Sequence, residues 1–241
     1  MIIDNHVHMG WYSNGYHSPL EIWSVINKAG INKIAVSSTS TCAELYDNIK
    51  TEFHQLISIA GKENILPVLW ITPTMIKKHW PIQNLIKSKI KWKGLKMHWR
   101  AHPEFYREKE LTDKVLKLSG LMGNLPILLH TGEFNTCHSN VFEPILSENP
   151  EMKFILAHGR PINETVSLIK KYNNVWTDTA FMTNNDIIIL KKEGVINKIL
   201  FGTDLPINSV YFPSLSNESY LISKIIEINK IDKNILAQTI F

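Results

Sequence analysis

The sequence contains only two cysteines, and this scarcity excludes a disulfide-stabilised scaffold. Cys42 and Cys137 lie far apart and form no CxxC motif, so the sequence indicates neither a thiolate metal site nor a dithiol redox centre. We expect a buried or incidental role for both residues.

Long apolar runs are also missing. No stretch approaches the roughly 18 residues of a membrane-spanning helix, and no signal peptide precedes the first apolar segment. The sequence therefore predicts a soluble, cytoplasmic protein that does not associate with membranes.

Neither sign of charge dominates the sequence, since the formal net charge is only +4. The lysines are spread along the chain. The short basic run KSKIKWKGLK, at residues 87–96, contains a tryptophan. A solvated helix face that leads into a strand explains this run more simply than nucleic-acid binding does. We expect a small-molecule substrate and no nucleic-acid partner.

What the chain does contain is a regular alternation of strand and helix patterns. The predicted strands cover residues 1–8, 31–38, 65–71, 92–99, 125–131, 153–159, 174–180 and 199–204. Amphipathic stretches such as PLEIWSVINKAG lie between them. This alternation implies parallel strands joined by right-handed crossovers, and eight units predict one (β/α)8 TIM-barrel domain over residues 1–241. The alternative, an open doubly wound sheet, usually has a glycine-rich phosphate loop, which HMGWYSNG does not match.

Polar side chains recur where the predicted strands end. His6 and His8 lie two apart on the first strand, and their side chains therefore point to the same side. The later strands end in or carry Lys96, His98, His130, His158, Asp178 and Asp204. Any one of them could make a local hydrogen bond, but such groups are costly to bury unpaired. Their recurrence at one end of the barrel predicts that His6, His8, His130, His158 and Asp204 converge on its axis, as a nitrogen- and oxygen-rich site for Zn or for Fe, Mn or Co in its place.

The motifs DNHVH, GLKMH, LLHTGE, LAHGR and FGTDLP resemble those of the amidohydrolase superfamily in both order and spacing. The similarity is nearest to the amidohydrolase 2 branch, which contains metal-dependent hydrolases and non-oxidative decarboxylases. The resemblance implies that His6, His8, His130 and Asp204 bind a divalent metal ion, and that His158 acts as an acid or base beside it.

This chemistry predicts a metal-dependent hydrolase of a small-molecule amide, ester or lactone. The ion would activate a water molecule and polarise a carbonyl group. Asp204 would take the proton, and His158 would orient the water or stabilise the oxyanion. Candidate substrate contacts are Lys96, His98 and Arg160, joined by Arg100, Trp11 and Tyr12. They favour a small substrate that is negatively charged or aromatic.

Several alternatives stay open. A carboxylated Lys96 would bridge two ions, and His130 and His158 would then hold the second. The same scaffold supports decarboxylation of an aromatic or dienoic acid, or a metal-free binding protein. Glu133 follows His130 as in adenosine deaminases, but Leu205 replaces their second aspartate. TatD-type nucleases have a glutamate on strand four, where this chain has GLKMH. The mouth of the barrel is either open or completed by another subunit of a homo-oligomer.

Overall fold

The protein is described by a computed structural model over residues 1–13, 15–132, 134–208 and 216–241. In chain order the elements are β1 (Ile3–Tyr12), β2 (Gly15–His17), α1 (Pro19–Lys28), β3 (Lys33–Ser38), α2 (Tyr46–Ala60), β4 (Ile65–Trp70), α3 (Pro73–Lys78), α4 (Trp80–Ile86), β5 (Gly94–Met97), α5 (Glu104–Arg107), α6 (Lys109–Leu121), β6 (Ile127–His130), α7 (Glu143–Glu148), β7 (Phe154–Ala157), α8 (Ile162–Lys171), β8 (Val175–Asp178), α9 (Asn184–Lys192), β9 (Ile199–Leu200) and α10 (Asn217–Asp232).

The strands form one sheet that curls into a barrel. Strand β1 pairs in parallel with β3, and each strand from β3 to β8 pairs in parallel with the strand that follows it. The segment after β9 closes the ring, because the His8 N–H donates to the Leu205 carbonyl at 2.7 Å and the Asp204 N–H donates to the His6 carbonyl at 2.8 Å. The predicted (β/α)8 barrel is confirmed, and every predicted strand forms.

Two details differ from the sequence-based prediction. The first strand runs on to Tyr12 and turns back as β2, which pairs with it antiparallel from Gly10 opposite His17. The last strand, predicted over residues 199–204, pairs with β8 over two residues only. Beyond Leu200 the chain hydrogen-bonds to β1 instead, so this segment serves the closure of the barrel.

Local sequence signals account for helix α1, which packs against the sheet after the hairpin. The Ser18 side chain accepts a hydrogen bond from the Glu21 N–H at 3.2 Å, and Pro19 occupies the first turn. Ile22 and Ile26 lie one turn apart and are buried, as an amphipathic helix requires. Gly30 then adopts a φ of 77°, a left-handed conformation that ends the helix at low cost.

The C-terminal side chain lies in the floor of the barrel. Phe241 packs against two groups of buried apolar residues from the strands, which are Ile3, Ala35, Leu66 and Val68 on one side and Leu128, Ile155, Ala157 and Leu200 on the other. Gly94 makes room for this ring, because a Cβ atom there would lie 2.5 Å from Phe241 Cε1. Among the helices described, none is long and apolar enough to cross a membrane.

Candidate metal centre

Three buried side chains meet where the barrel closes. His6 and His8 project from β1 with their Nε2 atoms 3.2 Å apart. Asp204 follows β9, and its Oδ1 atom lies 2.8 Å from His8 Nε2 and 3.2 Å from His6 Nε2. Alternation along β1 places both histidines on the inner side, and barrel closure brings Asp204 beside them. The structure therefore brings together three of the four predicted metal ligands.

Neighbouring strands orient the two histidine rings. His6 Nδ1 donates to Asp178 Oδ2 at 2.9 Å, and His8 Nδ1 lies 2.9 Å from the Ser37 hydroxyl. With Nδ1 engaged, the Nε2 atom of each ring is turned toward Asp204. The sequence places Asp178 at a strand end but indicates no role for it, and it holds no signal for Ser37.

Lys96 reaches into the same group of atoms. Its Nζ atom lies 2.8 Å from His6 Nε2 and 2.9 Å from His8 Nε2, and 4.5 Å from the centre of the Trp70 ring. Burial lowers the pKa of the Lys96 ammonium to about 8, against the attraction of the Asp204 and Asp178 carboxylates. The side chain thus points into the barrel, not outward to solvent.

His130, the fourth predicted ligand, lies one step further round the barrel. Its ring stacks on His98 at a centroid distance of 3.7 Å, and its Nδ1 atom lies 3.2 Å from His158 Nε2. His158 Nδ1 in turn faces the Ala180 carbonyl at 3.3 Å. If His158 donates to Ala180, His158 Nε2 accepts from His130, and His130 Nε2 carries a lone pair. That nitrogen is buried and has no hydrogen-bond partner among the described residues.

Burial favours the neutral form of His8, His130 and His158. It lowers the pKa of His8 to about 3 and of His158 to about 4, and it holds the pKa of His130 well below the usual range. Burial pushes the pKa of Asp204 upward, but the attraction of His6 and the contact with His8 hold it well below its usual value. At pH 7 His8, His130 and His158 are therefore neutral, and Asp204 is ionised.

This set of donor atoms fits a divalent metal ion. One ligand atom each of His6, His8 and Asp204 lies within 4.8 Å of the others, and all three residues are buried. Asp204 is buried and ionised, and its Oδ1 atom faces the Nε2 atoms of both histidines. A buried carboxylate is costly unless a hydrogen-bond donor or a cation lies beside it. A second such group consists of His6, His158 and Asp178.

A cavity of about 620 Å³ opens above these residues. The predicted substrate contacts Lys96, His98 and Arg160 all line it, together with Arg100, Tyr12, Trp70 and Phe181. Arg160 Nη2 also donates to the Phe181 carbonyl at 3.0 Å, and the Arg100 guanidinium lies 5.0 Å from the centre of the Phe134 ring.

Trp11, another sequence-based candidate, is not among the residues that line the cavity. Trp11 is 45% exposed, and its ring lies 5.2 Å from that of Tyr16 on the hairpin. Glu133, on which the deaminase alternative rests, lies outside the described residues. By contrast, Trp70 was not singled out from the sequence, yet its ring stacks on His98 at 5.3 Å with an angle of 5°.

Comparison with known proteins finds solved structures with a similar fold. No protein-family model matches the sequence, and no curated protein matches it either. Among solved structures, a probable 2-pyrone-4,6-dicarboxylic acid hydrolase from Acinetobacter baumannii, with citric acid bound, aligns with a TM-score of 0.68 and 11% identity over 98% of this chain and 95% of its own. An amidohydrolase from Mycobacterium avium subsp. paratuberculosis aligns with a TM-score of 0.51 and 13% identity over 93% of this chain and 75% of its own.

The chain has the TIM-barrel fold that these amidohydrolase structures share. The barrel itself is shared more widely, since a dihydrodipicolinate synthase family protein from Coccidioides immitis aligns with a TM-score of 0.53 and 14% identity over 96% of this chain and 72% of its own. In this chain the barrel is accompanied by the buried group of His6, His8 and Asp204, at the place where the barrel closes.

Proposed function

We propose that the protein is a metal-dependent hydrolase that cleaves an amide, ester or lactone bond of a small anionic molecule. The convergence of His6 Nε2, His8 Nε2 and Asp204 Oδ1 at the base of a cavity of about 620 Å³ is the observation that carries this proposal. The resemblance of the sequence motifs to amidohydrolases and the similarity of the fold support it.

His6, His8 and Asp204 would hold the ion, and His130 stays the predicted fourth ligand. The unpartnered Nε2 atom of His130 supports that role. Neutral imidazoles combined with one carboxylate are typical of zinc in catalytic sites, so zinc is the first candidate. The ion, when bound, lowers the pKa of a water molecule toward neutrality and polarises a carbonyl oxygen.

Two side chains would move the proton. Asp204 is ionised at pH 7 and lies among the ligand atoms, so it can accept a proton and later return it to the leaving group. His158 is neutral, with a pKa of about 4, and lines the cavity. Its Nε2 atom faces His130 Nδ1 at 3.2 Å, and His158 would serve as a base for a water molecule that takes the place of this contact.

The charges around the cavity favour an anionic substrate. Lys96, Arg100 and Arg160 line the cavity, and Asp204 is the carboxylate among its lining residues. Arginine pairs well with carboxylates because its guanidinium can make two parallel hydrogen bonds. Trp70, Tyr12 and Phe181 add flat apolar surface for a ring. The similar barrel from Acinetobacter baumannii, a probable hydrolase of a dicarboxylic acid, holds citric acid, which agrees with this substrate class.

The test measures bound metal and hydrolysis in the same preparations. Protein purified without chelator is analysed for metal and assayed against anionic lactones, esters and amides. The His6→Ala, His8→Ala double variant is compared with His54→Ala, a matched change at an exposed position of α2. We expect about one equivalent of zinc, or of another divalent ion, and hydrolysis in the wild type and His54→Ala, with both lost in the double variant.

A wild-type protein that holds no metal after reconstitution would contradict the proposal. Release of CO2 from an aromatic or dienoic acid, without hydrolysis of any test substrate, would replace hydrolysis with decarboxylation.

A further inference from the structure

Asp178 is a buried carboxylate that the proposed chemistry does not use directly. It lies at the end of β8 and is 0% exposed. Its two oxygens have different partners. Oδ2 accepts from His6 Nδ1 at 2.9 Å, while Oδ1 accepts from the backbone N–H of His158 at 3.1 Å and of Ala180 at 3.0 Å. One side chain therefore contacts a candidate metal ligand and the backbone of the candidate acid–base residue.

We propose that Asp178 is a positioning residue that orients His6 for metal binding and fixes the backbone of His158 beside it. The inference rests on the proposed function for its consequence in catalysis. Its geometric part, the fixed ring of His6, is independent of that function and can be tested separately.

The first role concerns the ring of His6. A neutral imidazole carries its proton on one nitrogen, and only the other nitrogen can bind a metal ion. The ionised Asp178 carboxylate can only accept a hydrogen bond, so its contact with Nδ1 keeps the proton on Nδ1 and leaves the lone pair on Nε2. Nε2 is the atom that lies 3.2 Å from Asp204 Oδ1. A carboxylate behind a metal-bound histidine typically also raises the basicity of the ligand.

The second role concerns the backbone after β7. His158 adopts a φ of 70°, a left-handed conformation that is uncommon for residues other than glycine and must be held by its surroundings. The hydrogen bond from its N–H to Asp178 Oδ1 is one contact that holds it. The side chain of His158 then reaches the cavity and His130.

The closing segment of the barrel packs closely against this pair. A Cβ atom at Gly202 would lie 3.0 Å from the Cβ atom of Asp178 and 3.0 Å from that of His6. The backbone of Gly202 therefore packs directly against both residues, which a side chain at this position would push apart.

The experiment compares Asp178→Asn with Asp113→Asn, the same change in an exposed ion pair with Lys109 on α6. Zinc affinity is measured by competition with a chromophoric chelator. The protonation site of the His6 ring is read by 15N NMR on metal-free protein. We expect Asp178→Asn to bind zinc about 10–100-fold more weakly, the range found when outer partners of metal ligands are removed. We also expect its His6 ring to leave the pure Nδ1–H form, while Asp113→Asn matches the wild type in both measurements.

The inference is overturned if Asp178→Asn keeps its zinc affinity within about twofold and its His6 ring stays in the Nδ1–H form. Loss of a complete equivalent of zinc would also overturn it, because Asp178 would then be a ligand in the group of His6, His158 and Asp178. If Asp178→Asn does not fold, NMR of the wild type decides, since an Nε2–H form of His6 contradicts the inference. If the wild type binds no zinc, the proposed function fails while the NMR result still tests the role of Asp178.

Discussion

Replacement of Lys96 by methionine tests what this buried cation does in the metal centre. Its Nζ atom lies 2.8 and 2.9 Å from the two histidine nitrogens that would face the ion. An ammonium group at that distance repels a divalent ion and must lose its proton or move away before the ion binds. Lys96→Met keeps the length and apolar character of the side chain and removes the charge.

The pKa of Lys96 sets the expected magnitude. With a pKa of about 8, the group is mostly charged at pH 7, and its deprotonation there costs about 1.4 kcal/mol. Lys96→Met should therefore bind zinc at least about tenfold more tightly than the wild type at pH 7. At pH 9 most of the wild-type lysine is already neutral, so the two affinities should converge.

The assay is chelator competition at both pH values together with metal analysis. Lys78→Met provides the control, because Lys78 is exposed and lies 3.8 Å from Glu44 on the surface. Weaker zinc binding by Lys96→Met, or the loss of one metal equivalent per chain, would refute the reasoning. Either result would mean that Lys96 itself supplies a ligand, as a carboxylated lysine does between two ions.

Three other perturbations have defined outcomes. His158 has a pKa of about 4 when folded and about 6.5 when unfolded. Unfolded chains therefore bind more protons as pH falls, and in urea melts of metal-free protein the wild type should lose about 2 kcal/mol more than His158→Gln between pH 7 and pH 5. Equal losses would contradict the buried neutral state. Arg160→Ala should weaken calorimetric binding of citrate, a tricarboxylate probe, by about tenfold or more, and unchanged binding would remove Arg160 from the substrate site. Gly94→Ala should lower the free energy of unfolding by about 1–3 kcal/mol, because its Cβ would lie 2.5 Å from the Phe241 ring. Phe241→Leu combined with Gly94→Ala should recover part of this loss. An unchanged free energy of unfolding for Gly94→Ala would show that the Phe241 ring can move away from the added Cβ atom.

The barrel was predictable because strands buried on both faces are encoded as short apolar runs, and turn and helix signals separate these runs. The hairpin strand β2 was not, since Gly15–His17 contains no such run and pairs only with the extension of β1. The shortened β9 has a similar origin. Apolar character extends past Leu200, but the partner strand changes from β8 to β1, and composition carries no information about partners.

The inner part of the candidate metal centre was predictable from the sequence. Two histidines at alternate positions of one strand must share a side, and a barrel of eight strands must bring its last strand beside its first. The places of His130 and Asp178 depend instead on side-chain contacts between strands that are distant in the sequence. No spacing rule states that Asp178 accepts from His6, or that His130 stacks on His98.

The phenylalanine in the floor of the barrel has a kinetic consequence. Phe241 fills the end of the barrel opposite the cavity, so molecules reach and leave the metal centre through the same mouth. A hydrolysis product that keeps the anionic groups of its substrate would occupy the contacts that the next substrate needs. Turnover would then slow as product accumulates, because product would compete with substrate for the same contacts.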